Sequence, residues 1–217
     1  MIRAEKIYKV YDMLPVLENL DLHIKSGQFC IITGPSGTGK STLLNVLSGL
    51  DIYQNGTLYL MGKEVAGLTQ KEMAMMRRKH IGFIFQSYNL ISSKNCLENV
   101  ALPLKYNKIN YFQRKTMAQS AIDQMGLIDK YYSYPHQLSG GQQQRIAVAR
   151  ALVTKPKILF CDEPTGNLDS ESAQLVMDGI ISMRNSGSAV LMITHDKGLL
   201  KYADCAYVLK DGRLFTQ

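Results

Sequence analysis

The 217-residue chain is 46% hydrophobic and 20% charged, with 17 glycines, 6 prolines and no tryptophan. That balance predicts one domain, with at most a modest extra lobe, and excludes a mostly disordered chain. Lys and Arg number 25 against 18 Asp and Glu, a net charge of +7 that suits polyphosphate, nucleic acid or an anionic membrane face, although most such charge is solvated surface.

The stretch 2–24, together with 56–61, suits a small antiparallel sheet. The run 29–33 is continuously apolar, as expected of a parallel strand covered on both faces. A helix over 41–50 follows. Thr69-Gln70-Lys71-Glu72 is a capping-box pattern ahead of a helix over 71–79. From about 86 to 155 there is little β pattern. Here a helix over 113–125 lines up Ala118, Ala121, Ile122 and Met125 and stops at Gly126, and another spans 142–153. A strand over 157–162, a helix over 170–185 and a strand over 189–194 complete the order. Strands alternating with helices predict an α/β sheet, and each strand runs into polar or Gly-rich residues, which places chemistry at the carboxyl ends. More than a hundred residues separate the strands at 29–33 and 157–162, too many for one crossover helix, so the intervening stretch reads as an inserted helical lobe.

The cysteines at 30, 96, 161 and 205 lie far apart with no Cys-x-x-Cys pair, which argues against a zinc site and a compact disulfide framework. The first residues lack the apolar stretch of a signal peptide, and no apolar run approaches the roughly 18 residues that span a bilayer. The expectation is a cytoplasmic protein that reaches a membrane through a partner.

Three motifs carry chemistry. Gly34-Pro35-Ser36-Gly37-Thr38-Gly39-Lys40-Ser41-Thr42 is a complete phosphate loop. Its glycines let successive N–H groups aim inward as an anion nest, and the following helix adds its N-terminal dipole. Lys40 would neutralise β and γ phosphates, and Ser41 would offer a hydroxyl to Mg²⁺. Next, the strand at 157–162 delivers Asp162 and Glu163 to its end, where side-chain alternation points them in different directions. Asp162 would hold the Mg²⁺ shell, and Glu163 would orient or deprotonate a water. Third, Leu138-Ser139-Gly140-Gly141-Gln142 opens a second helix, hence a second phosphate-binding surface, or else a turn with a serine cap.

With these motifs in order, the whole chain resembles the ATP-binding-cassette family. The resemblance implies a P-loop NTPase core with a mostly parallel sheet, a small N-terminal antiparallel β subdomain and a helical subdomain inserted at roughly 87–155, all within one nucleotide-binding domain over 1–217. It implies that Ser139, Gly140, Gly141 and Gln142 close over ATP held by the phosphate loop of a second copy. Gln86, after Ile81-Gly82-Phe83-Ile84-Phe85, matches the glutamine that touches Mg²⁺ and water and signals to the helical lobe. Gly166-Asn167-Leu168-Asp169 matches the loop that crosses the dimer seam, and His195 the histidine that contacts the γ-phosphate. Tyr11 matches the aromatic that stacks on adenine, with Tyr8 nearby as the alternative.

Phe85-Gln86-Ser87-Tyr88-Asn89-Leu90-Ile91, Glu98-Asn99-Val100-Ala101-Leu102-Pro103-Leu104 and the segment from Asp162 to Asp169 resemble the ATPase subunits of the macrolide-exporter and lipoprotein-release branch, the MacB/LolD-like group. Lys94-Asn95-Cys96 departs from the more apolar run usual there. The branch implies Mg²⁺-dependent ATP hydrolysis in a homodimer and a membrane permease partner with a large extracytoplasmic domain. It also implies a peripheral place on the inner membrane face, and no nucleic acid. The alternative is an FtsE-like ATPase that regulates division or wall hydrolysis. A chromosome-structuring ATPase would need a long coiled coil, for which this chain has no room.

Overall fold

A computed structural model describes residues 1–166 and 168–217; Asn167, in the expected seam loop, lies outside the described residues. The chain begins with β1 (Ile2–Tyr11) and β2 (Leu14–Ile24), an antiparallel hairpin turned by Asp12 and Met13, both at positive φ as a two-residue hairpin turn requires. β3 (Phe29–Thr33) leads through the glycine loop to α1 (Lys40–Leu47), followed by β4 (Asn55–Leu60) and the short β5 (Lys63–Glu64). α2 (Gln70–His80) runs into β6 (Ile81–Ile84). α3 (Cys96–Tyr106), α4 (Tyr111–Gln124) and α5 (Gly140–Leu152) come next. The chain then returns to the sheet as β7 (Ile158–Asp162), α6 (Ser170–Asn185), β8 (Ala189–Ile193), β9 (Cys205–Lys210) and β10 (Arg213–Thr216).

Two sheets result. One is antiparallel, in the order β2-β1-β4-β5. The other has the order β10-β9-β3-β8-β7-β6, parallel except at the β10 edge. The expected α/β class with a mostly parallel sheet and a small antiparallel one is observed. The continuous apolar runs are explained by alternation, because each central strand is shared between two cores. Phe29, Ile31, Leu159, Cys161, Val190 and Met192 face a core formed with α3 to α6. Cys30, Ile32, Ile158, Phe160, Leu191 and Ile193 face the antiparallel sheet, α1 and α2.

Several boundaries differ from expectation for local reasons. α1 stops at Leu47 because Gly49 turns at positive φ. α5 begins at Gly140 because the Ser139 hydroxyl caps it from outside. α3 was not expected. Asn95 starts it with a capping box, its side chain accepting from the Glu98 N–H at 2.9 Å while Glu98 accepts from the Asn95 N–H at 3.0 Å. The polar Lys94-Asn95-Cys96 departure is therefore a helix start. Buried Asn99 fixes the loop before it, donating to the carbonyls of Ile91, Lys94 and Asn95 and accepting from the Ile91 N–H.

Candidate active site

The sheet order sets β3, β8, β7 and β6 side by side and parallel, so their carboxyl ends share one edge. That edge gathers the glycine loop after β3, Thr194 and His195 after β8, Asp162 and Glu163 at the end of β7, and Gln86 two residues beyond β6.

In the loop, Gly34 has φ 151°, and a Cβ there would stand 2.5 Å from the Leu209 carbonyl oxygen. Gly39 has φ 91° as the residue before α1, and a Cβ would meet Val16 at 2.8 Å. Only glycine fits both places. Pro35, Ser36 and Gly37 are exposed, and nothing lies within 4 Å of a Cβ built on Gly37, so the loop is open on its outer side. Thr38 Oγ1 donates to the Pro35 carbonyl at 2.9 Å. Lys40 Nζ curls back to donate to the carbonyls of Gly34 at 2.9 Å and Pro35 at 2.7 Å. α1 has no side-chain cap and no acidic residue in its first turn, so its leading N–H groups are left for an anion.

Ser41 Oγ donates to Asp162 Oδ2 at 3.0 Å. Burial, followed by the charge of Glu163, raises the Asp162 carboxyl above its ordinary range against the opposing Ser41 bond and Lys40 charge. A carboxylate desolvated in this way gains from a divalent cation, and hydroxyl, carboxylate and the Gln86 amide oxygen are the hard donors Mg²⁺ takes. The Ser41–Asp162 pair fits the ion.

Glu163 sits at φ 47°, a left-handed backbone rare outside glycine. Its N–H donates to the Ile193 carbonyl, its Oε1 is 2.9 Å from His195 Nδ1, and its Oε2 accepts from Thr194 Oγ1 at 3.2 Å. The carboxylate is nearly enclosed while His195 is mostly exposed. Thr194, buried and also accepting from the Asp196 N–H, was not singled out from sequence. Gln86 is exposed and shares a small hollow with Tyr88, Gln144, Glu163, Pro164 and Leu168.

Tyr11 caps the nearby corner, its hydroxyl bonded to the Asp51 carboxylate and close to Thr42. Buried Lys9 reaches Asp51 at 3.0 Å and lies 4.2 Å from the centre of the Tyr11 ring. Burial pushes the Asp51 carboxyl up, but bonds from Tyr11, Lys9 and the Ile52 N–H leave it below its ordinary range. Tyr8 instead pairs across the sheet with Asn55.

Ser139 and Gln142 close a reciprocal capping box: Ser139 Oγ accepts from the Gln142 N–H at 3.3 Å, and Gln142 Oε1 accepts from the Ser139 N–H at 3.0 Å. A Cβ on Gly141 would stand 3.8 Å from Asp169 Oδ2. Asp169 caps α6, and the Ser172 N–H holds its carboxyl below the usual range. Among the described residues no hydrogen bond joins 139–142 to 34–42.

The family model described as ABC transporter matches residues 17–166. The chain belongs to that family. It is 41% identical over 99% of its length to the lipoprotein-releasing system ATP-binding protein LolD of Aquifex aeolicus, covering 96% of that protein. It is 42% identical over 98% of its length to the macrolide export ATP-binding/permease protein MacB of Bdellovibrio bacteriovorus, of which it spans 33%. A dimeric post-hydrolysis ATP-binding cassette bound to ADP and Pi superposes with a TM-score of 0.95 at 36% identity, covering 100% of this chain and 98% of that one. The chain is an ATP-binding ATPase subunit of an ABC transporter, in the branch that includes MacB and LolD. Among the described residues no helix is long and apolar enough to cross a membrane.

Proposed function

We propose that two copies of this chain trap two ATP molecules between Gly34–Thr42 of one and Ser139–Gln142 of the other, and that closure and reopening drive a separate membrane subunit. The observation that carries this is that one chain holds both a glycine loop opening α1 and a Ser-Gly-Gly start to α5, and is similar over its whole length to a dimeric cassette bound to ADP and Pi. The loop N–H groups and Lys40 hold the β and γ phosphates; to do so, Lys40 exchanges its two carbonyl partners for phosphate oxygens. Ser41, Gln86 and Asp162 hold Mg²⁺, which when bound neutralises phosphate charge. Glu163, fixed by Thr194 and His195, accepts the proton of the attacking water, and His195 carries an exposed ring edge toward the γ-phosphate. Tyr11 offers its ring to adenine, and Asp169 flanks the seam.

Residues of roughly 87–155 form the lobe that closure moves, within a single nucleotide-binding domain over 1–217. The name of MacB, an ATP-binding/permease protein, supports a membrane permease as partner. A large extracytoplasmic domain on that partner, and a cytoplasmic, peripheral location for this chain, are proposed with it from the resemblance to the branch. Export or mechanical work on that partner is the function proposed. Glu163→Gln is expected to keep ATP binding, lower hydrolysis roughly 10²–10⁴-fold and trap an ATP-dependent dimer. Near-normal turnover would remove Glu163 from its role. Recovery of a division or wall-hydrolase complex with the trapped dimer would replace transport with regulation.

A further inference from the structure

Arg150, in the last turn of α5, is partly buried and forms no ion pair among the described residues. Its guanidinium is spent instead on two backbone carbonyls, Nη2 donating to Tyr88 at 2.8 Å and Nη1 to Asn89 at 2.6 Å. Tyr88 and Asn89 stand at φ 60° and 51°, successive left-handed positions without glycine. Tyrosine in particular keeps such a conformation only under an outside hold. The fork of Arg150 supplies that hold, and its planar pair of donors suits two adjacent carbonyls better than a lysine would.

The same turn also touches the other end of the helix. The Tyr88 hydroxyl lies 2.9 Å from where a Cβ on Gly140 would stand, and Gly140 is the first residue of α5. Long helical side chains lean toward the helix N-terminus, so Arg150 and the Tyr88 ring together run alongside α5. Between them, Gln144 Nε2 donates to the carbonyl of Pro164, the residue after Glu163, at 3.0 Å.

We propose that Arg150 and Tyr88 are positioning residues that lock the Gln86 turn to α5 as one body. Engagement of Gln86 at one nucleotide then sets the Ser139–Gln142 surface that the same chain presents to the other nucleotide. This rests on the ATP-sandwiched dimer proposed above. Neither residue lies in the phosphate loop; each acts through the pose of α5, so its loss weakens closure and spares binding to that loop.

The test uses the full chain carrying Glu163→Gln, with dimerisation driven by Mg-ATP and followed by sedimentation, and with monomer affinity read by a fluorescent ADP. Adding Arg150→Lys is expected to leave ADP affinity within about twofold and to raise the ATP needed for half-dimerisation about tenfold, the worth of one charge-assisted hydrogen bond. Unchanged dimerisation, or ADP affinity falling in step with it, would overturn the proposal. Should Arg150→Lys fail to fold, Gly140→Ala decides. Its new methyl meets the Tyr88 hydroxyl, so it should impair dimerisation, and Tyr88→Phe added to it should restore at least half of the loss. Absence of rescue refutes the link. If the Glu163→Gln parent itself fails to dimerise with ATP, the sandwich falls and the lock with it, a result visible before any further substitution is made.

Discussion

Thr194 holds the carboxylate on which turnover is expected to depend, and replacing it with valine isolates that role. Valine keeps the shape of a side chain that is 1% exposed and removes only the hydroxyl. Lost with it are the donor to Glu163 Oε2 at 3.2 Å and the acceptor of the Asp196 N–H at 3.1 Å. Asp196 is exposed and its N–H can turn to water, so the cost falls chiefly on the bond to the carboxylate. A hydrogen bond to a charged group contributes about 1.5–3 kcal/mol. Thr194→Val should therefore lower the melting temperature by roughly 3–12 °C in a chain of this size. His195 alone would then orient Glu163. If the same energy is expressed in the transition state, kcat falls roughly 10- to 150-fold with KM for ATP little changed. Thr194→Ser is the control, since it keeps the hydroxyl and gives up one buried methyl, about 0.5–1.5 kcal/mol of stability. Steady-state ATPase assays beside thermal melts separate the two. A valine variant with kcat within twofold of wild type, or a serine variant equally impaired in turnover, would refute this account of Glu163 positioning.

Asp162→Asn should raise the melting temperature at neutral pH while abolishing Mg²⁺-dependent hydrolysis. Burial and the charge of Glu163 raise the folded-state pKa, so the unfolded chain ionises first; the cost of the charge is full above the folded value and vanishes as pH falls below the unfolded one. Melts of wild type and variant should accordingly converge on acidification. Tyr11→Ala should weaken ATP binding about tenfold, within the range of an aromatic–base stack, whereas Tyr11→Phe should keep affinity and lose only the Asp51 bond; equal effects in an equilibrium titration would assign Tyr11 to the fold instead. Asn95→Ala removes the cap of α3 at a cost of about 1 kcal/mol, and hydrogen exchange should quicken first at 96–100.

Much of the architecture was legible because its cause is local or periodic. Residues 29–32, 158–161 and 189–193 had to be apolar throughout, since alternate residues of each strand serve two cores. The helix at 170–185 carries its own start in Asp169 and its stop near Gly187. Four-residue β6 was too short for its pattern to stand out, and β9 and β10 gain their place from neighbours rather than from their own residues. α3 was hidden by Pro103 within it and by the polar residues that cap its start. At the site, a common edge for Lys40, Asp162, Gln86 and His195 follows from the end of each run, because parallel strands finish on one side. The pairing of Thr194 with Glu163, of Lys9 with Asp51 and of Arg150 with the Tyr88 turn joins residues 31, 42 and 62 positions apart. No spacing rule forecasts such contacts; they arise only once the layers have closed.

The left-handed backbone at Glu163 gives selection two opposite preferences at one position. A residue other than glycine held there costs about 1–2 kcal/mol, a cost the bonds from Thr194 and His195 offset. Gly or Asn therefore gains in the backbone about what it loses in the side chain, while the proposed turnover role needs the carboxylate. Inactivating mutations at this position should thus yield subunits that are well folded and long-lived in the cell. In a protein that works as a pair, such inert copies would compete for partners on equal terms with active ones. A plasmid-borne Glu163→Gly allele would then depress activity well beyond its gene dose, a dominance that originates in a single torsion angle.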